Sequence, residues 1–249
     1  MNLNPQSMFV GQSVIFVKEL ESTNEYLKYF AKNEGLAEGA VVVTEFQSKG
    51  KGQHTNSWQS DANQNALFSI LLKPKNLSGH SLNALSFLVS LAVRATVQKF
   101  LPNKDVTVKW PNDIMVDNQK IAGILIENRL GNPTESVVGI GLNINQTQFD
   151  DLPKAASMKS ISGQEFDIEA VISECLGFVE KYYLLSKRDN GVKQLQTLYV
   201  SQLYKLNEEV LVDSKKYIVT GVDAEGKLLL GNDKGSKSIY HKEVAVIWN

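Results

Sequence analysis

Val106-Thr107-Val108-Lys109-Trp110-Pro111-Asn112-Asp113-Ile114-Met115-Val116-Asp117-Asn118-Gln119-Lys120-Ile121-Ala122-Gly123-Ile124-Leu125-Ile126-Glu127 is the stretch that decides the fold class. Val106–Trp110 reads as a short strand, and Pro111-Asn112-Asp113 has the composition of a turn. Ile114–Val116 and Lys120–Glu127 then form a hairpin around Asp117-Asn118. A hairpin set among strands and long helices predicts an α+β fold with a mixed or antiparallel sheet, not a doubly wound parallel one.

Working outward, Ser13–Val17, Ala40–Phe46, Ala66–Leu72 and Ser136–Asn143 are further predicted strands. A helix starts at Ser22-Thr23-Asn24-Glu25, where serine followed by glutamate three residues on matches a capping box. Tyr26, Leu27, Phe30 and Ala31 share its apolar face, and Gly35 ends it. Ser81–Phe100 is a long helix carrying Leu82, Leu85, Val89, Ala92, Val93 and Val97 at helical spacing, stopped by Pro102. Asp167–Leu185 and Val192–Leu206 read as two more. The last stretch changes character: Glu209–Val212, Tyr217–Val222, Lys227–Leu230 and Ser238–Trp248 are short strands, which suggests a small barrel. The predicted boundary falls near Gln202–Glu208, dividing the 249 residues into 1–203 and 204–249.

Charge is balanced, with 26 basic and 27 acidic residues, so bulk electrostatics gives no push toward nucleic acid or a membrane surface. Any anion site must be local. The lone Cys175 sits in an apolar-periodic run and cannot form an internal disulfide, which fits a reducing compartment. Met1–Val10 lacks the features of a signal peptide, and no apolar run approaches the ~18 residues of a membrane span. The expectation is a cytoplasmic protein. His54, His80 and His241 are far apart and show no ligand spacing, so no protein-held metal site is predicted.

Four segments could carry chemistry. Gln47–Trp58 combines glycines at 50 and 52, Lys49 and Lys51, and a tryptophan, which suits a phosphate tail beside a ring. The alternative is a solvated loop with a buried tryptophan. Lys109–Asp113 gathers a cation, an aromatic ring, a rigid turn and two polar side chains, although asparagine and aspartate also close ordinary turns. Lys120 alternates with Ala122 and Ile124 along a strand and lies near Gly123, leaving room for a ligand against the backbone. An edge-strand lysine is the other reading. Gly139 and Gly141 favour close approach of another group, with Asn143 and Asn145 sharing a face, or else tight packing of strand on helix.

Taken together these segments resemble one family. Glu21-Ser22-Thr23-Asn24, Thr44-Glu45-Phe46-Gln47 with the 50–58 loop, Lys109-Trp110-Pro111-Asn112-Asp113, Lys120-Ile121-Ala122-Gly123-Ile124-Leu125-Ile126-Glu127 and Gly139-Ile140-Gly141-Leu142-Asn143 occur in the order seen in biotin protein ligases. Gly221-Val222-Asp223 and Gly226–Leu230 are similar to that family's terminal module. The resemblance implies a main domain like the catalytic domain of class II aminoacyl-tRNA synthetases, followed by an SH3-like barrel. It implies that biotin and ATP form biotinyl-5′-adenylate, with Mg²⁺ on the triphosphate, and that biotin then passes to a lysine of a biotin carboxyl carrier domain, acetyl-CoA carboxylase's being the family expectation.

By the same match, Lys120 is the main electrostatic catalyst and Lys109 the second candidate. Ser22, Thr23, Asn24, Gln47, Lys51, Gly52, Gln53, Lys120 and Gly123 hold biotin. Gly50, Lys51, Gln53, Trp58, Asn112, Lys120 and Asn143 hold ATP. Some members carry an N-terminal DNA-binding module, and with a strand starting near Ser13 none is expected here. Lys51, Gln53 and Thr55 stand where the family loop usually has arginine, arginine or glutamine, and glycine. Lysine lacks arginine's bidentate fork, so a looser hold on the adenylate is expected. A lipoate ligase is a rival, but its Arg-Arg-x-x-Gly-Gly-Gly segment is absent. A non-catalytic binder of biotin or carrier is another. Either a monomer or a homodimer is compatible with the sequence.

Overall fold

The structure is a computed structural model that describes residues 3–53, 56–75, 77, 82–131, 134–150, 152–241 and 243–248. His54, Thr55, His80 and Ser81, named above, lie outside them. The chain runs β1 (Val14–Leu20), α1 (Thr23–Glu34), β2 (Val41–Gln47), β3 (Asn65–Leu72), α2 (Ala84–Phe100), β4 (Val106–Lys109), β5 (Asp113–Val116), β6 (Gln119–Arg129) and β7 (Glu135–Asn143). Three helices follow, α3 (Met158–Ser162), α4 (Ile168–Ser186) and α5 (Gly191–Ser201). The last strands are β8 (Glu209–Val212), β9 (Lys215–Val222), β10 (Leu228–Asn232), β11 (Gly235–Ile239) and β12 (Val246–Ile247).

The first seven strands form one mixed sheet in the order β1-β2-β3-β7-β6-β5-β4. Only β1 and β2 pair in parallel, joined through α1, and the other neighbours are antiparallel. Asp117 and Asn118 both take positive φ at the β5–β6 turn, the geometry a two-residue hairpin needs to match strand twist. The last five strands make a separate antiparallel sheet, ordered β11-β10-β9-β8-β12.

The two faces of the large sheet are treated differently. On one, Phe68, Ile70, Ala122, Ile124, Ile140 and Leu142 pack with α2, α4 and α5 in the main core. Each fully buried leucine there, such as Leu85 or Leu88 on α2, contributes about 1.5–3 kcal/mol. On the other face α1 covers one end only, where Leu27 and Ala31 meet Val42, Leu71 and Val137. The remainder of that face is the floor of a cleft.

The small sheet is tied to the large one at several points. Val108 and Leu203 form a parallel bridge. Trp110 Nε1 donates to the Gly226 carbonyl at 2.9 Å, and Asn83 Nδ2 to that of Glu225 at 2.6 Å. The N-terminal segment is held by Glu180, a buried carboxylate on α4 that accepts from the backbone N–H groups of Met8, Phe9 and Val10 at 2.6, 2.8 and 3.0 Å.

Several expectations need correction. Ser22 caps α1 without a side-chain hydrogen bond, and the first helical N–H, that of Thr23, is satisfied by Gln47 Oε1. Glu25, its expected capping partner, pairs with Lys28 and Lys51. A capping box does occur at Ser157 and Ser160, opening α3, a helix the periodicity is too short to reveal. The helix expected over Val192–Leu206 ends at Ser201, and Ser238–Trp248 is two strands rather than one. Lys120 is not on an edge strand, since β6 lies between β5 and β7. Cys175 is fully buried, and desolvation raises its thiol pKa to about 12. Among the described residues no helix is long and apolar enough to cross a membrane.

Glu180→Ala should lower unfolding free energy by about 3 kcal/mol in a urea titration, because three backbone donors, that of Val10 fully buried, lose their acceptor. Glu180→Gln keeps one acceptor oxygen and should lose less.

Candidate active site

A cleft of about 500 Å³ opens over the uncovered face of the large sheet. Its floor is bare because the cross-strand pair Gly123–Gly141 carries no side chains, and Gly139 lies next along β7. A Cβ at Gly123 would stand 2.9 Å from Cζ3 of Trp58, and one at Gly141 2.7 Å from Trp58 Cζ2 and Nε1. The indole therefore lies directly on the glycine floor. A Cβ at Gly139 would stand 2.9 Å from Asn24 Cγ. The strand glycines thus admit close approach, as expected, and the groups now resting on them are Trp58 and Asn24.

One end of the cleft is a polar, hydrogen-bonded corner at the start of α1. Thr23 gives both its N–H (2.8 Å) and its Oγ1–H (3.1 Å) to Gln47 Oε1, which leaves Nε2 as that side chain's unspent donor. Ser69 Oγ, fully buried on β3, lies 2.7 Å from Thr23 Oγ1 and 2.6 Å from Asn24 Oδ1. Its one proton serves one of them at a time. Asn24 Nδ2 donates to Glu127 Oε2 at 2.8 Å, and Lys28 Nζ holds the other Glu127 oxygen at 2.8 Å. Desolvation opposes the charge on Lys28, but the bonds to Glu127 and Glu25 outweigh it and raise its pKa. Lys28 and Lys51 together lower that of Glu25.

The other end is cationic. Lys120 Nζ lies 2.7 Å from Asp113 Oδ1 and 5.7 Å from the Trp58 ring centroid. Simple alternation places Lys120 beside Ala122 and Ile124, but those two point into the core. A bulge makes the difference: Met115 pairs with Lys120 and Ile114 with Ala122, so buried Ile121 is an extra residue. The backbone of Lys120 instead bonds the 154–156 segment, through its N–H to Lys154 O (2.7 Å) and its O from Ala156 N–H (2.9 Å). The bulge turns Lys120 to the face of Gly123. Lys109 is half-buried, and its ammonium stands 5.8 Å from the Trp248 ring centroid. Desolvation lowers its pKa, Asp113 opposes that shift, and Lys154 and Lys120 add to it.

Between Lys109 and Asp113 the chain is held rigidly. Tyr199 on α5 donates to the Pro111 carbonyl at 3.2 Å, and Asn112 Nδ2 donates to Ile124 O at 2.6 Å. Residues 50–52 pair with 56–58, with Trp58 N–H to Gly50 O at 2.9 Å and Gly52 N–H to Asn56 O at 2.8 Å. Lys51 is ion-paired to Glu25.

Ser22, Thr23, Asn24, Gln47, Lys51, Gly52, Gln53, Trp58, Lys109, Asn112, Lys120 and Gly123 all line this cleft. Gly50 and Asn143 do not. Gly50 sits behind the loop against the Trp58 carbonyl. Asn143 is buried and donates to Ala156 O at 2.9 Å, steadying the segment that pairs with Lys120. Asn145 likewise braces Phe166. Unanticipated are Asp113 as partner of Lys120, Ser69 and Glu127 behind the polar corner, and a wall from the small sheet that includes His241, Val246 and Trp248. Such an arrangement suits a ligand with a polar, hydrogen-bonding ring at one end and an anionic group at the other.

Comparison with known proteins agrees with this geometry. A family model described as the biotin/lipoate A/B protein ligase family matches residues 16–145. The bifunctional ligase/repressor BirA of Bacillus subtilis is 28% identical over 249 residues, covering 94% of this chain and 74% of that protein. The biotin--[acetyl-CoA-carboxylase] ligase of Mycobacterium tuberculosis is 26% identical over 230 residues, covering 90% and 84%. The structure of the Aquifex aeolicus biotin protein ligase in complex with biotin and ATP superposes with a TM-score of 0.79 at 26% identity, over 94% of this chain and 98% of that one.

Gly139→Ala should destabilise the protein by about 1–3 kcal/mol in thermal unfolding, since the added methyl drives Asn24 from a packed, hydrogen-bonded position. Gly231→Ala is the control, a strand glycine on β10 whose added Cβ would make only an ordinary 3.4 Å contact with Thr220 Cγ2.

Proposed function

This chain belongs to the biotin/lipoate A/B protein ligase family, and on that premise we propose that it is an ATP-dependent biotin--[biotin carboxyl-carrier protein] ligase. The observation that carries the proposal is the cleft itself. Lys120 and the polar corner at Thr23, Asn24 and Gln47 face one another across a side-chain-free floor.

In this reading the ring system of biotin sits at the polar corner, where the Gln47 amide donates to its carbonyl. The acid tail runs over Gly123 toward Lys120. A carboxylate oxygen of biotin attacks the α-phosphorus of ATP, forming the acyl–phosphate bond as pyrophosphate leaves. The amine of a carrier lysine then attacks the acyl carbon, losing a proton as the amide forms and AMP departs. The first step brings two anions together, so fixed positive charge and alignment supply most of what the protein contributes. Lys120 carries that role beside both reacting groups. Asp113 holds its ammonium in place, and Lys109 adds charge from the Trp248 side.

Lys51, Gly52 and Gln53 close over the biotin side, while Lys51, Gln53, Trp58 and Asn112 serve the nucleotide and Gly50 acts only by shaping the backbone behind them. Asn143 acts through Ala156. Mg²⁺ arrives on the triphosphate and screens its charge. Among the described residues no group of three or more His, Cys, Asp or Glu could hold a metal ion, and in this proposal the phosphates hold Mg²⁺ with few protein ligands. Residues 1–203 form the biotin- and ATP-binding unit, and 204–249 a small terminal unit that lends the cleft a wall. The carrier domain of acetyl-CoA carboxylase is the expected acceptor, and a cytoplasmic setting suits it.

Biotin-dependent exchange of pyrophosphate into ATP tests the reading, with lipoate as the control acid. Exchange with biotin alone is expected, together with label on one lysine of an added carrier domain. No exchange with either acid would sink it. Lys120→Ala should lose about 10²–10³-fold in exchange rate with an unchanged unfolding midpoint. A pH–rate profile probes Lys109. It acts protonated, and burial favours its neutral form, so activity should fall on the alkaline side below the ordinary lysine value of 10.5. Lys109→Arg should move that limb upward.

A further inference from the structure

Trp58 is in an unusual position for a loop residue next to a reactive site. Its ring rests on Gly123 and Gly141, 5.7 Å from the Lys120 ammonium, in the cleft that the polar corner also lines. Its Nε1–H is inaccessible to solvent and has no hydrogen-bond partner among the described residues. A buried donor without an acceptor is unfavourable, so the indole is held there by packing against the floor and not by polar complementarity. The other side of the same 50–52 to 56–58 pairing is fastened by the ion pair of Lys51 with Glu25. The loop is thus pinned at two points over a floor that a ligand spanning the cleft must cross.

We propose that Trp58 is the cleft's own occupant and determines which ligands enter, by filling the slot that the apolar middle of the ligand must take. The inference rests on the ligase reading and adds a selectivity element to it. A ligand displaces the indole only by gaining at both ends at once: a cyclic urea at the Gln47–Thr23 corner and an acid at Lys120. Displacement also relieves the orphaned N–H. A head fragment alone gains at one end and is excluded, although the corner itself would accept it.

Rapid filtration with labelled biotin, without ATP, provides the test. For the wild-type protein the observed binding rate should rise with biotin concentration and level off at the rate at which the indole leaves. Trp58→Ala should abolish that plateau and raise the apparent association rate by about tenfold, since the competent state no longer has to be selected. 2-Imidazolidone, the bare cyclic urea, should compete with biotin in Trp58→Ala and not in the wild type. The wild-type plateau is read without any variant, so a variant that folds poorly leaves the test intact. A strictly linear wild-type dependence, or an association rate in Trp58→Ala equal to or below that of the wild type, overturns the proposal while leaving the ligase reading standing. Failure of both proteins to bind biotin removes both.

Discussion

Two glycines facing each other on adjacent strands, Gly123 and Gly141, leave a patch of sheet with backbone as its only surface, and the rest of the cleft is organised around that gap. Any side chain there would raise the floor by the thickness of a methyl group or more. It would separate a ligand's ring end from its acid end and lift both off their partners. The neighbouring features follow from the gap. The helix α1 stops short of it, the 50–58 loop folds across it, and the bulge at Ile121 delivers Lys120 to its edge.

Charge placement in the cleft obeys the same economy. Each cation near the expected reaction point has a partner that orients it. Lys120 has the Asp113 carboxylate, and Lys109 has the π-face of Trp248. The polar corner is stiffened from behind: Ser69 and Glu127 hold the amide of Asn24, and Thr23 holds that of Gln47 by its oxygen. A pocket of this kind discriminates by leaving its own groups unpaired when the wrong ligand enters.

Much of this was legible in the sequence, and the exceptions have physical causes. The hairpin was readable because Asp117-Asn118 is local turn chemistry, and the mixed sheet followed from it. Ser22–Asn24, Gln47, Lys109, Asn112 and Lys120 could be singled out because each belongs to a short, distinctive run. The face of Lys120 was misread because strand alternation assumes an unbroken register, and the bulge that breaks it depends on a loop more than thirty residues later, at Lys154–Ala156. Ser22 and Glu25 look like a capping box, yet the Glu25 carboxylate is taken by Lys28 and Lys51 instead of the Ser22 N–H. Ser69 and Glu127 sit in ordinary strand patterns, and only the folded sheet brings them behind the corner. The wall from the small sheet was invisible for the same reason.

That wall has a consequence for how the molecule comes into being. The floor strands β6 and β7 leave the ribosome about a hundred residues before His241, Val246 and Trp248, and domains fold in the order in which they are synthesised. A nascent chain can therefore assemble the large sheet and its glycine floor while one flank of the cleft is still missing. The site becomes enclosed only after β8–β12 have formed and docked through the Trp110–Gly226 and Asn83–Glu225 bonds, so ligand capture waits for the last strands to be made.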